Sequence, residues 1–483
     1  MLSRQSHAIV SAVVLVLTLD LYSLAQGQTH AAAPNKEPAA ASSPDCSAPA
    51  SSLPAGATRV YIALRNSIDG SGRSARDARD GSTAANFDRI LRCYSEGCTD
   101  AADPKRSLAR TENLIVCLGP GKFETKGQYD FLINAPHRQP EGFTIGKGWK
   151  IHGAGIDRTT VQLIAYLPVT ASDNPQNVPA GSGLGVVFAT NSDNASGIEI
   201  SGLTVDANYP ALKAASARAG IKALNLEGIR LRSDQGGHWI HDVKVVHTAG
   251  EFAEAFPVEI VSVNLKNTPG ENHGNLIERV MLSDFGGGKC TAIAVANAVA
   301  EVRNNVVEGL QIGYGGWVMG PVWFHDNVAV GTEYGFNIDS LANRGVRIEQ
   351  NQIIHPRRYG IVIGGDGTYA DFKISGNTIQ IDKSRVIGLV FQGNVTGAVV
   401  RGNSILAESG VKAAAIRNHA GDWPAGPNVN NTYESNRISS GLRAEFKGLS
   451  WQSRSCVFGN LDEHGKPSKD LKDNHAGPCP ASK

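Results

Sequence analysis

Carboxylate, imidazole and guanidinium groups lie close together between residues 337 and 366. Carboxylates and imidazoles exchange protons near neutral pH, so Asp339, His355 and Asp366 are candidate catalytic residues. A carboxylate beside an arginine stays ionised, which suits Asp339 to act as a base or as a ligand. The candidate substrate-binding residues are Arg357, Arg358, Asn337, Tyr334, Arg230, Arg232 and Glu259.

This mixture of groups suits acid–base chemistry on a uronic-acid polymer. An arginine would bind the uronate carboxylate through two hydrogen bonds. A base would then remove the neighbouring proton, or paired carboxylates would hydrolyse the glycosidic bond. The alternative is a solvated outer face, since outward strand positions are polar in any case. Trp317, Trp323 and Tyr334 are either sugar-stacking platforms or core residues, and the core is favoured for Trp323.

Repeated short strands must position these residues. From about residue 148, a β-branched strand, an asparagine and a second strand recur, followed by a third strand that usually begins with glycine. Three strands in each period leave no room for a helix, so the repeat predicts an all-β, right-handed, single-stranded parallel β-helix. The intervals are 22, 24, 26 and 26 residues between the asparagines at 305, 327, 351, 377 and 403.

The recurring asparagines have a structural interpretation. A tight turn needs a residue that tolerates the left-handed region, and stacked asparagines also form hydrogen-bonded ladders. We therefore expect them to lie in one line across the coils. Strand alternation places Asn337 and Asp339 outside. It predicts a stacked core that contains Ile338, Ile361, Ile363, Leu389 and Phe391.

The ends of the chain predict export. Residues 1–25 have a basic start, a twelve-residue apolar run and small residues at a cleavage position, as in a signal peptide. An uncleaved anchor is the alternative, and no later segment is apolar enough to span a membrane. Residues 26–57 have a linker composition rich in Ala, Pro and Ser. The β-helix is expected over 58–440 and a polar tail over 441–483, in a secreted or periplasmic protein.

Charge and cysteine content limit the partners and the compartment. The 46 basic and 45 acidic side chains nearly balance, which argues against a nucleic-acid partner. Seven cysteines fit an oxidising compartment. The expected disulfides are Cys93 with Cys98 and Cys456 with Cys479, and no Cys/His spacing is typical of a zinc site.

Four segments carry a resemblance to a known family: an opening strand with an Asp-Gly-Ser-Gly turn, a short helix, a strand before Gly-Pro-Gly, and the next coil. They are Val60–Gly72, Phe87–Leu91, Leu114–Thr125 and Lys150–Gly155. With the repeats, they resemble the pectin-lyase-like superfamily of parallel β-helix proteins. The resemblance implies that Phe87–Leu91 belongs to a helix that caps the first coil.

The superfamily contains polysaccharide lyases, glycoside hydrolases, uronate epimerases, esterases and non-catalytic adhesins or tailspikes. Asn337-Ile338-Asp339 matches one of four polygalacturonase elements, and Tyr334-Gly335-Phe336 matches part of an epimerase motif. The resemblance implies an enzyme acting on an acidic polysaccharide, and the alternative is a non-catalytic surface or periplasmic binding protein. The sequence requires no cofactor; calcium is implied by the resemblance only.

Overall fold

Short strands make up most of the computed structural model, which describes residues 44–66, 68–99, 108–128, 142–169, 179–190, 195–262, 272–316, 320–339, 342–418, 428–446 and 455–468. The helices α1 to α3 are Pro44–Ser47, Ala84–Glu96 and Tyr209–Arg218, and a 3-10 helix spans Ala50–Ser52. Strands β1 to β18 are Thr58–Ala63, Arg79–Asp80, Leu114–Leu118, Gly121–Thr125, Lys150–His152, Thr159–Leu163, Leu167–Pro168, Ser182–Ala189, Glu199–Asp206, Ala223–Arg232, Trp239–Val246, Ala249–Ala255, Val258–Val261, Asn275–Leu282, Gly288–Ala296, Ala300–Arg303, Val306–Glu308 and Ile312–Gly316. Strands β19 to β36 are Val322–His325, Val328–Val330, Tyr334–Ile338, Ala342–Arg344, Arg347–Glu349, Gln352–Ile354, Tyr359–Ala370, Lys373–Ser375, Thr378–Ile381, Ile387–Thr396, Val399–Arg401, Ser404–Ala407, Ala414–Asn418, Thr432–Glu434, Arg437–Ile438, Arg443–Phe446, Cys456–Phe458 and Leu461–Asp462.

Successive coils stack strand on strand. In the regular part of the chain, β23, β24 and β25 pair in parallel with β26, β27 and β28 of the next coil. One strand of each coil belongs to a 13-stranded sheet, called here the first sheet. The other strands form the second and third sheets, which are joined in one 23-stranded network. The prediction of a right-handed parallel β-helix is confirmed, although β7 and β12 add antiparallel pairings to the first sheet.

A ladder of buried asparagines runs along the turn between the second and third sheets. Each side-chain amide donates to the Oδ1 atom of the asparagine one coil further on, at 2.9 to 3.0 Å. The same Oδ1 atom accepts the backbone N–H of the asparagine one coil back. The ladder contains the five predicted asparagines and two more, and it consists of Asn305, Asn327, Asn351, Asn377, Asn403, Asn436 and Asn460.

The ladder asparagines do not adopt the left-handed conformation that the sequence suggested for this turn. The residue before each one does so instead, with φ of 55° at Asp326, 57° at Gln350 and 66° at Gly376. There is a physical reason why the left-handed residue and the ladder asparagine are two neighbouring positions. The left-handed residue reverses the backbone, and its side chain is free to vary, whereas the next side chain points into the turn and must pair there.

The predicted core lies inside the coils. Ile361 is the register partner of Leu389, and Ile363 is the partner of Phe391. These four side chains and Ile338 are fully buried. Strand alternation therefore assigned the inward and outward faces of the first sheet correctly.

Helix α2 packs against the first coils, where the sequence predicts a capping helix. Thr83 caps its N-terminus by accepting the backbone N–H of Asn86. Phe87 is fully buried, and its ring lies 5.4 Å from the ring of Phe123.

The N-terminal segment 44–52, assigned to a linker by its composition, contains helical turns attached to the second sheet. Cys46 forms a disulfide with Cys117, which the sequence had left unpaired. Because a covalent bond holds the segment, it needs few apolar side chains to be ordered. Arg59 donates to the carbonyl oxygens of Asp45 and Ala48.

The predicted disulfide between Cys93 and Cys98 is present. Cys456 is also disulfide-bonded, and its predicted partner Cys479 lies outside the described residues. Coil stacking continues beyond residue 440, the boundary set by the repeat pattern, because β35 and β36 pair with β32 and β33.

Removing one rung of the ladder should destabilise the protein strongly. Asn351→Ala leaves the backbone N–H of Asn327 without an acceptor and Phe324 O without the side-chain donor, and it removes the side-chain link to Asn377. We expect a loss of at least about 3 kcal/mol in the free energy of unfolding, measured by denaturant melts. Gln380→Ala, at an exposed position of the next coil, is the control and should change stability little. Equal effects of the two changes would contradict the ladder's role.

A core truncation tests the strand phase. Phe391 is fully buried, so Phe391→Ala should cost on the order of 3–5 kcal/mol if the cavity stays open. A denaturant melt that loses under about 1 kcal/mol would mean that this side chain does not fill the core.

Candidate functional site

On the outer face of the first sheet, small residues lie between polar ones. Ala294 and Gly315 lie in register between Glu259 and Asn337. Asn337 points outward and is half-buried, whereas its neighbours Phe336 and Ile338 are fully buried. Ala294, Gly315 and Glu259 are buried, so the accessible part of this row is its Asn337 end.

Asp339 lies at the end of this outward row and is half-buried. Its Oδ2 atom accepts a hydrogen bond of 3.0 Å from the side-chain amide of Asn337. Burial raises the pKa of Asp339, and the hydrogen bond offsets part of that rise. Desolvation is the largest influence on the pKa of Asp339 and no arginine is among its causes, so the expected arginine partner does not set the charge of this carboxylate.

Glu254, at the end of β12, is the carboxylate that the sequence did not indicate. Its Oε1 atom accepts a short hydrogen bond from the hydroxyl of Thr291. Burial raises the pKa of Glu254, and the negative charge of Asp339 raises it further. The two carboxylates are thus electrostatically coupled. Strand β12 interrupts the regular repeat and carries a register shift before Glu254, so no periodic pattern pointed to this residue.

The basic loop before β25 borders the Glu254 side of the first sheet. Arg357 donates from Nη2 to the carbonyl oxygen of Leu310 at 3.3 Å. The charges of Arg357 and Glu254 both act on the pKa of the buried Cys290 thiol, which burial raises to about 12. Arg357 and Glu254 are therefore both within electrostatic range of one thiol.

Arg358 contacts the rings of Tyr334 and Tyr359, which begin strands β21 and β25. Its Nη1 atom donates to the hydroxyl of Tyr334 at 2.7 Å, and its guanidinium lies over the rings of Tyr334 and Tyr359, 5.7 and 5.0 Å from their centroids. Burial raises the pKa of Tyr334, so its phenol stays protonated at neutral pH. Arg358 and Tyr334 were both predicted from the sequence, and the structure brings them together.

The predicted neighbours of Asp339 are not brought to it. His355 precedes Tyr359, the register partner of Tyr334, and five residues of chain separate Tyr334 from Asp339. That span is about 16 Å of strand, so His355 and Asp339 lie toward opposite ends of the sheet. His355 instead faces Asp382, at 3.9 Å. The backbone of Asp366 belongs to β25, and its side chain lies outside the described part of the structure.

Two predicted substrate-binding residues are buried in an ion-paired group. Arg230 Nη1 lies 2.9 Å from Glu227 Oε2, and Arg230 Nε lies 2.6 Å from Glu259 Oε2. All three side chains are at most 5 % exposed, so they are closed to a polymer. Arg232 is half-buried, and its backbone N–H donates to the hydroxyl of Thr190. Strand alternation placed Arg230 on the outer face of its strand. It could not show that the carboxylates of Glu227 and Glu259 surround this side chain.

Trp323 is not a core residue, contrary to the sequence-based interpretation. It projects from the outer face of the second sheet, stacks on His325 at 3.9 Å and lies under the guanidinium of Arg347 at 4.3 Å. Trp317 lies outside the described residues. In the described residues, the outer face of the first sheet brings no three His, Cys, Asp or Glu side chains together as metal ligands. No helix among those residues is long and apolar enough to cross a membrane.

Comparison with known proteins identifies the fold. The chain matches no protein-family model and no curated protein sequence. Among solved structures, it is similar to the tailspike protein of E. coli bacteriophage HK620 in complex with a pentasaccharide, with 11% identity and a TM-score of 0.50. That alignment covers 72% of this chain and 57% of the tailspike, little more than half of its length. The chain is also similar to the A-module of Azotobacter vinelandii mannuronan C-5 epimerase AlgE6, with 14% identity, a TM-score of 0.40 and coverage of 72% of this chain and 90% of the module.

A substitution in the buried ion-paired group of Arg230, Glu227 and Glu259 tests whether this group stabilises the fold. Arg230→Ala leaves Glu227 and Glu259 buried without their shared cation, and we expect it to cost about 3–5 kcal/mol of stability. Arg232→Ala, two positions along the same strand but half-buried, is the control and should cost much less. Comparable losses in thermal and denaturant melts would refute the assignment.

Proposed function

We propose that this protein binds an acidic polysaccharide across the outer face of the first sheet and hydrolyses its glycosidic bonds. The observation that carries the proposal is the coupled pair of half-buried carboxylates, Glu254 and Asp339, whose pKa values are both raised. Paired carboxylates with separated ionisation are the usual chemistry of glycoside hydrolysis. The charge of Lys289 offsets only part of the rise at Glu254, and functional sites are where carboxylates with raised pKa values gather.

The two carboxylates take different roles. In this proposal Asp339 is the ionised group and Glu254 the protonated one, since the charge of Asp339 is one of the causes that raise the pKa of Glu254. Glu254 therefore acts as the general acid that protonates the leaving oxygen, with Thr291 orienting it. Asp339, held by Asn337, acts as the second carboxylate of the pair, a base or nucleophile.

The basic edge supports an acidic rather than a neutral substrate. Arg357 and Arg358 are exposed residues beside the Glu254 side of the face, and a guanidinium binds a uronate carboxylate in a bidentate manner. Tyr334 and Tyr359 hold the guanidinium of Arg358 at the same edge. Elimination and epimerisation of uronates use the same groups, with Asp339 as the base, and product analysis separates the three reactions.

The proposal extends to location and ancestry. Residues 1–25 are proposed to be a signal peptide, which would place the mature protein in a periplasm or outside the cell, where polysaccharides are met. The disulfides support an oxidising compartment. Membership in the pectin-lyase-like superfamily is proposed from the opening strand, capping helix and Gly-Pro-Gly segment.

A second function is a glycan-binding protein without turnover. It is favoured by the stack of Arg358 with Tyr334 and Tyr359, which forms a rigid cationic and aromatic platform independent of the carboxylates. Under this alternative, the loss of Arg358 would abolish glycan binding, and the loss of Glu254 would leave it unchanged.

The catalytic proposal is tested on pectin, alginate and neutral glycans by following reducing ends and the absorbance of unsaturated products. On a substrate that the wild type cleaves, Glu254→Gln and Asp339→Asn should each lower kcat by about 100-fold or more, within the usual range for acid–base groups. Glu308→Gln, an exposed carboxylate on β17 of the third sheet, is the matched control and should keep full activity. Activity retained in both site variants would remove the carboxylate pair from the mechanism.

Stability should change with pH in the direction opposite to that of an ordinary ion-paired carboxylate. The folded-state pKa of Glu254 is raised, so its contribution to stability is full below its unfolded value and is lost as pH rises through its folded value. At pH 7 to 8, Glu254→Gln should therefore raise the Tm of the protein, and the gain should shrink toward pH 4. A Tm that falls at pH 8 and recovers at pH 4 would contradict the raised pKa.

A further inference from the structure

A buried histidine on the second sheet faces two carboxylates, away from the first-sheet site. Asp45 Oδ2 lies 3.6 Å from His152 Nε2, and Glu199 Oε1 lies 3.8 Å from His152 Nδ1. One ligand atom from each of the three residues lies within 4.8 Å of the others. His152 and Glu199 are on neighbouring strands of the coil stack, β5 and β9, whereas Asp45 comes from the N-terminal segment 44–52.

His152 Nε2 has no hydrogen-bond partner although the His152 side chain is only 1 % exposed. Its other ring nitrogen, Nδ1, is 2.8 Å from the hydroxyl of Ser201. If Nδ1 donates to Ser201, the Nε2 lone pair faces a carboxylate oxygen, and two acceptors repel. If Nε2 carries the proton, 3.6 Å is too long for a hydrogen bond to Asp45. A cation between Nε2 and Oδ2 would satisfy both atoms.

We propose that Asp45, His152 and Glu199 bind a divalent transition-metal ion of the zinc class, which clamps the N-terminal segment to the β-helix. One imidazole and two carboxylates form a ligand set that zinc accepts. Zinc ligands about 2.1 Å from the ion and tetrahedrally arranged lie about 3.4 Å apart, close to the separation of His152 Nε2 and Asp45 Oδ2.

Two further features prepare this site. The Cys46–Cys117 disulfide fixes the backbone next to Asp45, and Cys117 is the register partner of His152. Ser201 orients the imidazole from behind, as the outer partners of metal-binding histidines do. His152 also lines a cavity of about 350 Å³ beside the disulfide, from which water can complete the coordination.

Lys150 is the internal competitor of the ion. Its ammonium lies 2.9 Å from Asp45 Oδ2 and 3.2 Å from Glu199 Oε2, so it neutralises both carboxylates when no metal is bound. It makes no hydrogen bond to His152 Nε2, which has no partner. Metal binding therefore displaces the Lys150 ammonium toward solvent, and removing this charge should strengthen metal binding.

The test is calorimetric titration of Zn²⁺ into the disulfide-intact, chelator-treated protein, together with Tm. We expect one site and a Tm that rises with zinc. Asp45→Asn and Glu199→Gln should each weaken binding about 10- to 100-fold or more, since even outer-shell losses have effects of this size. Lys150→Met should strengthen binding about tenfold or more, because it removes the competing charge. Co²⁺ titration should give a visible spectrum that Asp45→Asn abolishes.

The second sheet offers a matched control for Glu199. Glu199 Oε1 lies 3.2 Å from His241 Nε2, and Glu301 Oε1 lies 3.0 Å from His325 Nε2 in the same arrangement, three strands further along. Glu301→Gln should leave zinc affinity unchanged. Circular dichroism confirms folding of each variant before titration. No stoichiometric binding, or equal affinity in the wild type, Asp45→Asn and Glu199→Gln, overturns the proposal and assigns any zinc to surface histidines. Polysaccharide turnover is measured separately and does not decide this outcome.

Discussion

The parallel pairing of the coils depends on the asparagine ladder, which satisfies the buried backbone groups at one turn of each coil. Each coil must reverse direction at a turn whose backbone groups are buried, and an unpaired buried N–H group costs free energy. A ladder asparagine such as Asn351 satisfies a backbone N–H of the coil before it and a carbonyl oxygen of the same turn, while its own N–H is paired by Asn377. Because every rung uses the next, the register of all three sheets is fixed together. The positions of the outward residues follow from that register.

The two outer faces treat charge differently. On the second sheet, charged groups neutralise one another from coil to coil, as where Glu278 binds both Arg279 and Arg303. On the first sheet, Glu254 and Asp339 are half-buried carboxylates whose pKa values are raised by desolvation and, for Glu254, by the other carboxylate. A fold that needs only its backbone pairing and core can carry such an unfavourable pair on one face. Because both pKa values are raised, ionisation of the pair costs stability at neutral pH.

The N-terminal segment illustrates how a coil stack gains a second source of order. Its composition has too few apolar side chains to fold by burial, yet Cys46 is cross-linked to the second sheet and Asp45 reaches Lys150 on a neighbouring strand. A covalent bond and a charge contact replace the missing hydrophobic contacts. The proposed metal ion would add a third link at the same place, beside the first coils, where a stack has no preceding coil to pair with.

The fold and the strand phase could be predicted from the sequence. A repeating asparagine and alternating apolar residues are local patterns, and they were enough to assign Ile338 to the core and Asp339 to the outer face. Which outward groups act on one another depends on the tertiary structure, since the charge of Asp339 raises the pKa of Glu254 on an irregular strand far away in the chain, whereas His355 faces Asp382. The tertiary structure also buries Arg230 with the carboxylates of Glu227 and Glu259. Desolvation and long-range charge depend on neighbours that no local spacing encodes, so the sequence indicated the site's face but not its chemistry.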